Sequence, residues 1–120
     1  MSRITSYKLV YFAYPYSADP ERFTREACEI AREVYALRED LVIIIPHLLF
    51  DKVYRSPEEA FRHVTEILIR EHETIARCDY LMYDSRKISV GVQFEIAFAT
   101  WLGKPVYTVE QVKRGEDLDE

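Results

Sequence analysis

Short apolar runs alternate with stretches of helical periodicity along this chain. The run LVIII at Leu41 to Ile45, closed by Pro46-His47, restricts the fold most. A continuous apolar run of strand length, bounded by proline, is the pattern of a strand buried on both faces, and such strands sit in parallel sheets covered by helices. The neighbouring segments agree. Tyr7 to Ala13 (YKLVYFA) reads as a first strand, ended by Tyr14-Pro15-Tyr16-Ser17, where proline stops the ladder. From Pro20, with Asp19 placed to cap, Phe23, Ala27, Ile30, Ala31, Val34 and Leu37 recur at helical spacing. Ser56-Pro57-Glu58-Glu59 opens a second helix, which carries Ala60, Phe61, Val64, Ile67, Leu68 and Ile75 on its apolar face and runs to about Cys78. Asp79 to Asp84 (DYLMYD) is a third strand, Gly91 to Leu102 a third helix closed by Gly103, and Pro105 to Val109 a fourth strand.

The order β-α-β-α-β-α-β requires parallel strands with right-handed crossovers. The expected fold class is α/β: a flavodoxin- or Rossmann-like three-layer open parallel sheet of four to five strands with helices on both faces. One domain is expected over residues 1–109. Residues 110–120 are mostly charged and are expected to form a solvated tail or a dimer-edge element.

Composition narrows the partners. Sixteen basic against 21 acidic side chains leave a net charge of −5, with no Lys/Arg stripe, so a nucleic acid polymer is not an expected partner. Cys28 and Cys78 form no CxxC pair and read as buried thiols of a reduced protein. The residues before the first apolar run are too few for a signal segment, and no apolar stretch reaches the length of a membrane span. A cytoplasmic location without membrane association is expected. His63 and His72 are spaced nine apart rather than four, so no helical metal site is expected. The chain contains no GxGxxG, GxxxxGK[ST] or GxSxG, which removes the phosphate cradles of dinucleotide and P-loop proteins and the nucleophile elbow of hydrolases.

In open parallel sheets ligands bind outside the carboxyl ends of the strands. Here those ends carry Ala13, Tyr14 and Tyr16, then His47 to Asp51, then Asp84 to Gly91, and Thr108-Val109-Glu110. Aromatic rings, a histidine and several acids make the composition of a small-molecule pocket. Glu95 is the sharpest single feature, because its helical neighbours Gly91, Val92, Phe98 and Ala99, with Leu102 beyond, set a carboxylate in an apolar stripe. A buried acid needs a partner or a task. Ser89-Val90-Gly91 is expected where a strand ends and a helix begins, so backbone N–H groups there suit an anion or a sugar hydroxyl, although the same residues also make an ordinary cap. Glu71 and Glu73 lie two apart on diverging faces, so at most one faces the cleft. His47 fits either a ligand contact or a structural hydrogen bond.

Val10 to Tyr16 (VYFAYPY), Glu71 eight residues before Asp79, and Ser89-Val90-Gly91-Val92-Gln93-Phe94-Glu95-Ile96-Ala97 followed by Gly103-Lys104-Pro105-Val106 together resemble the nucleoside 2-deoxyribosyltransferase superfamily. The Ser-x-Gly-x-x-x-Glu spacing is most similar to its 2′-deoxynucleoside 5′-monophosphate N-glycosidase branch. The resemblance runs from Tyr7 to Val109 and implies retaining glycosyl transfer at C1′ of a deoxyribose. It implies Glu95 as nucleophile, Tyr11 as the residue orienting it, Glu71 as the acid assisting the leaving base, and Ser89 with the Gly91 amide as holders of a 5′-phosphate. It further implies a small nucleotide or nucleoside as substrate, no cofactor, and a homodimer or higher homo-oligomer with sites at subunit contacts. Three residue sets depart from the pattern: bulky Tyr14-Pro15-Tyr16 replaces a glycine-rich stretch, Glu71 stands where aspartate is usual, and Pro46-His47-Leu48-Leu49-Phe50-Asp51 is more similar to uncharacterised members of the superfamily. A non-catalytic nucleotide-sensing module of the same fold is the alternative expectation.

Overall fold

The computed structural model describes residues 6–119. Strands β1 (Lys8–Ala13), β2 (Leu41–Ile44), β3 (Tyr80–Tyr83) and β4 (Val106–Thr108) form one all-parallel sheet in the order β2-β1-β3-β4. The helices are α1 (Pro20–Leu37), α2 (Pro57–Arg62), α3 (Val64–Arg77), α4 (Val90–Trp101) and α5 (Val109–Lys113). The α/β class and the parallel sheet are as expected, with four strands.

Alternation along the central strand β1 builds both halves of the core. Val10 and Phe12 face α1 and α5, where they pack with Ala27, Ala31, Val34 and Val112. Tyr11 and Ala13 face the other way, into a layer with Ile75 of α3 and Val92 and Ala99 of α4. The chain leaves β1 toward β2 on one side and returns to β3 on the other, so a crevice opens above the carboxyl ends of β1 and β3.

Three expectations are corrected. The second helix is not continuous: it breaks at His63 (φ −111°, ψ 24°), whose ring stacks on Tyr54 at 4.7 Å and fixes the corner between α2 and α3. Cys28 is half-buried, and only Cys78 is fully enclosed. Residues 110–119 are not a solvated tail. They continue α5 and then form a 3₁₀ turn, Glu116–Asp119, that buries Asp117 completely. The physical reason is a charge partner far away in sequence. Arg38, itself buried, donates to Asp117 Oδ1 at 2.6 Å and Oδ2 at 3.0 Å; Tyr80 donates to Oδ2 at 2.8 Å, and Lys8 Nζ to the Asp117 main-chain oxygen at 2.9 Å. Burial works to raise the Asp117 pKa, but the bonds from Arg38 and Tyr80 outweigh it and hold the carboxyl below its ordinary range. Among the described residues no helix is long and apolar enough to cross a membrane.

Removing one partner of a buried ion pair leaves the other charged and unsatisfied, which costs about 3–5 kcal/mol. Arg38→Ala is therefore expected to lower the urea midpoint by that equivalent. Unchanged denaturation would show that the C-terminal segment contributes nothing to the fold.

Candidate active site

The crevice is a cleft of about 1410 Å³. Its walls come from the loop after β1, a π-helical turn at His47–Asp51, α2, α3 and the first turns of α4. Glu95 is 9% exposed on α4 and reaches the cleft from the helix layer, behind which Tyr11 is wholly enclosed. The Tyr11 hydroxyl donates to Glu95 Oε2, and Oε1 takes no hydrogen bond among the described residues. Burial raises the Glu95 pKa; the Tyr11 bond lowers it in part, and the charge of Asp51 raises it again. Tyr11 is itself held well above the ordinary tyrosine range, by burial first and then by the charges of Glu95, Glu71 and Asp51, so it stays a donor.

Glu71, on α3, lines the same cleft, whereas Glu73 points to solvent and pairs with Arg77. Burial, then the charges of Glu95 and Asp51, push the Glu71 pKa upward, and no hydrogen bond to it offsets this among the described residues. Of the two glutamates, Glu95 alone has a donor that favours its ionised form. A single proton shared between them therefore resides on Glu71, which sets an ionised carboxylate beside a protonated acid.

The remaining sequence candidates divide. Ser89 caps α4 by accepting from Val92 N–H at 3.2 Å, and both Ser89 and Gly91 line the cleft. A Cβ placed on Gly91 would approach only Ser89 Oγ, at 3.8 Å, so the space beside this helix start is left open by the protein. Tyr16 and Asp51 are on the wall. His47 lines the cleft too, but its ring is spent on the fold: Nε2 lies 3.0 Å from the Tyr14 carbonyl oxygen and Nδ1 3.4 Å from Thr24 Oγ1. Burial lowers its pKa to about 4, so it is neutral and acts as a strut between β2 and α1. Tyr14 turns its hydroxyl to Glu26 of α1 at 2.7 Å. Ala13 does not reach the wall, because strand alternation sends it into the layer beneath α3 and α4.

Sequence reasoning missed the apolar side of the cleft. Phe61, Val64 and Leu68, expected on a core face, are 75%, 41% and 46% exposed and line the opening with Phe94. For Phe94 the signal is present in α4, whose apolar residues surround the helix rather than marking one face. Among the described residues no group of three His, Cys, Asp or Glu side chains is arranged to hold a metal ion.

The chain belongs to the family described as "Domain of unknown function (DUF7768)", whose model matches residues 8–109. It is similar to the solved structure of a conserved protein from Enterococcus faecalis V583, with 20% identity and a TM-score of 0.62 over 86% of this chain and 63% of that one. It therefore spans less than two thirds of the Enterococcus chain, and this likeness is one of fold. A second similar structure is the CMP N-glycosidase BcmB of Clostridium botulinum, with 17% identity and a TM-score of 0.48 over 84% of this chain and 67% of that one. No curated protein matches the chain.

Asp51 gives the site a measurable electrostatic signature. Burial pushes its pKa from the ordinary value up to about 6. The folded state therefore holds the Asp51 proton more tightly than the unfolded chain does, and the stability tied to this group falls as pH rises from about 4 through about 6. Asp51→Asn is expected to raise stability by roughly 1–3 kcal/mol at pH 8 and to change little at pH 4. Melting curves at both pH values test this; equal effects at the two would contradict the charge argument.

Proposed function

We propose that this DUF7768 domain cleaves the N-glycosidic bond of a nucleoside or nucleoside 5′-monophosphate, with Glu95 as nucleophile, Tyr11 as its orienting donor and Glu71 as the acid. The observation that carries this reading is the buried Tyr11–Glu95 hydrogen bond at a cleft that also holds Glu71. The sequence resemblance over Tyr7 to Val109 assigns the same three residues to the same roles. With Oε2 held by Tyr11, Glu95 Oε1 attacks C1′ of the sugar. The C1′–N bond breaks, its electron pair passes to the base nitrogen, and Glu71 delivers the proton. Water, or a second base, then attacks C1′ of the glycosyl ester, its proton returns to Glu71, and the Glu95 carboxylate is released. The open helix start at Ser89 and Gly91 suits the 5′ substituent, either hydroxyl or phosphate.

The protomer leaves Phe94 and Trp101 69% and 79% exposed on α4, with Phe61 beside the cleft mouth. A helix apolar on all sides is normally enclosed. The same reading therefore has a second copy of the chain covering this face. Phe94→Glu is expected to shift a dimer to a monomer in sedimentation; a wild-type chain that sediments as a monomer at high concentration would contradict this part of the reading.

Base release from deoxy- and ribonucleosides and their 5′-monophosphates, followed by chromatography, tests the chemistry. Glu95→Gln is expected to abolish release. Tyr11→Phe is expected to lower kcat/KM on the order of 10²-fold, within the usual range for one positioned proton-bearing group. It also removes the bond that favours ionised Glu95, so the acid limb of the pH profile moves to higher pH. Failure of the wild type to release any base, while a nucleotide still raises the melting temperature, would replace this reading with that of a sensor.

A further inference from the structure

We infer that residues 55–62, which carry α2, form a flap that closes over the bound substrate and lays Phe61 on it; the choice of ligand rests on the N-glycoside reading above. The cleft of about 1410 Å³ is larger than the roughly 300–1,000 Å³ of pockets that enclose a small ligand. Closure of a mobile wall is how such a cleft contracts around its substrate and shields the reaction from bulk water.

Of the walls, α2 is tied least to the rest of the fold. Pro57, Glu58, Ala60, Phe61 and Arg62 all line the cleft, yet only Ala60 of this helix is buried. The helix packs chiefly on α3. Its polar bonds are local: Ser56 Oγ accepts from the Glu59 N–H at 3.1 Å, and Glu59 Oε2 accepts from the Arg55 N–H at 2.7 Å. Among the described residues no side chain of this segment is hydrogen-bonded or ion-paired to another element. A short helix closed by its own caps moves as a unit without giving up bonds elsewhere.

The two ends of the segment meet at its base. Tyr54 and His63, the residues just before and just after it, stack with their planes 13° apart, and the Tyr54 hydroxyl accepts from Arg70 Nη1 of α3 at 3.1 Å. The backbone is non-helical on both sides, in the turn and bend at 52–56 and again at His63. An excursion whose ends are pinned together on a rigid helix swings about that base. Phe61, 75% exposed at the mouth, is the large apolar side chain that the swing buries, and its burial against substrate favours the closed form.

Hydrogen–deuterium exchange of Glu95→Gln, with and without saturating 2′-deoxyadenosine or 2′-deoxycytidine, tests the flap. In the free protein the amides of 57–62 are expected to exchange faster than those of α3, and a nucleoside that raises the melting temperature is expected to slow them about 10-fold or more. In the otherwise wild-type enzyme, Phe61→Ala is expected to raise KM about 10- to 100-fold, the equivalent of one buried aromatic side chain, with a smaller change in kcat. Tyr54→Ala is expected to raise KM as well, and Tyr54→Phe, which keeps the stack on His63, to restore it. Exchange in 57–62 that a bound nucleoside leaves unchanged overturns the flap and leaves the N-glycoside reading intact. Exchange that slows with protein concentration instead of nucleoside assigns the segment to a contact between copies and also overturns it. If no base is released from any substrate, the N-glycoside reading fails, while protection of 57–62 by a nucleoside that raises the melting temperature still supports the flap; binding of neither nucleoside ends both.

Discussion

A tyrosine hydroxyl on the central strand holding a carboxylate on a neighbouring helix is the interaction around which this molecule is arranged. Tyr11 pairs through its backbone with both flanking strands, opposite Ile44 and Leu81, so its position is set by the sheet rather than by a loop. Its ring is fully enclosed, which fixes where the hydroxyl lies. Glu95 can occupy an apolar layer only because that hydroxyl meets it. Apolar contacts of Val92 and Ala99 pack α4 on the sheet, and this one hydrogen bond lets the same helix carry a carboxylate into that layer and to the cleft. A group held by rigid elements keeps the geometry that chemistry at a single carbon requires.

The cleft carries electrostatic strain that the rest of the fold avoids. Arg38 and Asp117 form a closed, satisfied network beneath α5, and Asp84 is tied to Arg86. By contrast, burial raises the pKa values of Glu71, Glu95 and Asp51 together, with only Glu95 receiving a hydrogen bond among the described residues. Such a set is unfavourable for folding and useful for proton transfer, since it holds one acid protonated beside one carboxylate. The same division appears in the apolar residues. Val10, Phe12 and Val34 are sealed on the α1 side of the sheet, while Phe61 and Phe94 remain open around the cleft.

What the sequence makes legible follows from the range of each interaction. Leu41 to Ile45 and the other strand runs declare themselves locally, and Glu95 stands out because its neighbours on one helix are apolar. Asp117 cannot be read in that way. Its burial depends on Arg38, 79 residues earlier, and a mostly charged stretch looks solvated until that partner is known. The break at His63 is equally hidden, because it is set by stacking on Tyr54 in a loop and not by proline or glycine. The position of His47 at the end of β2 is plain from the sequence, but only the fold shows that Tyr14 and Thr24 take both ring nitrogens. Phe61, Val64 and Leu68 mislead for the opposite reason: helical periodicity marks an apolar face without saying whether a core or a cleft lies against it.

The most direct measurement is mass spectrometry of acid-quenched protein during turnover, with peptide mapping of any adduct. Covalent glycosyl transfer yields a sugar-sized mass increase confined to the peptide that carries Glu95 and absent when this residue is glutamine. Steady base release with no adduct at any quench time, or an adduct that persists in Glu95→Gln, would contradict the role of Glu95 as the nucleophile.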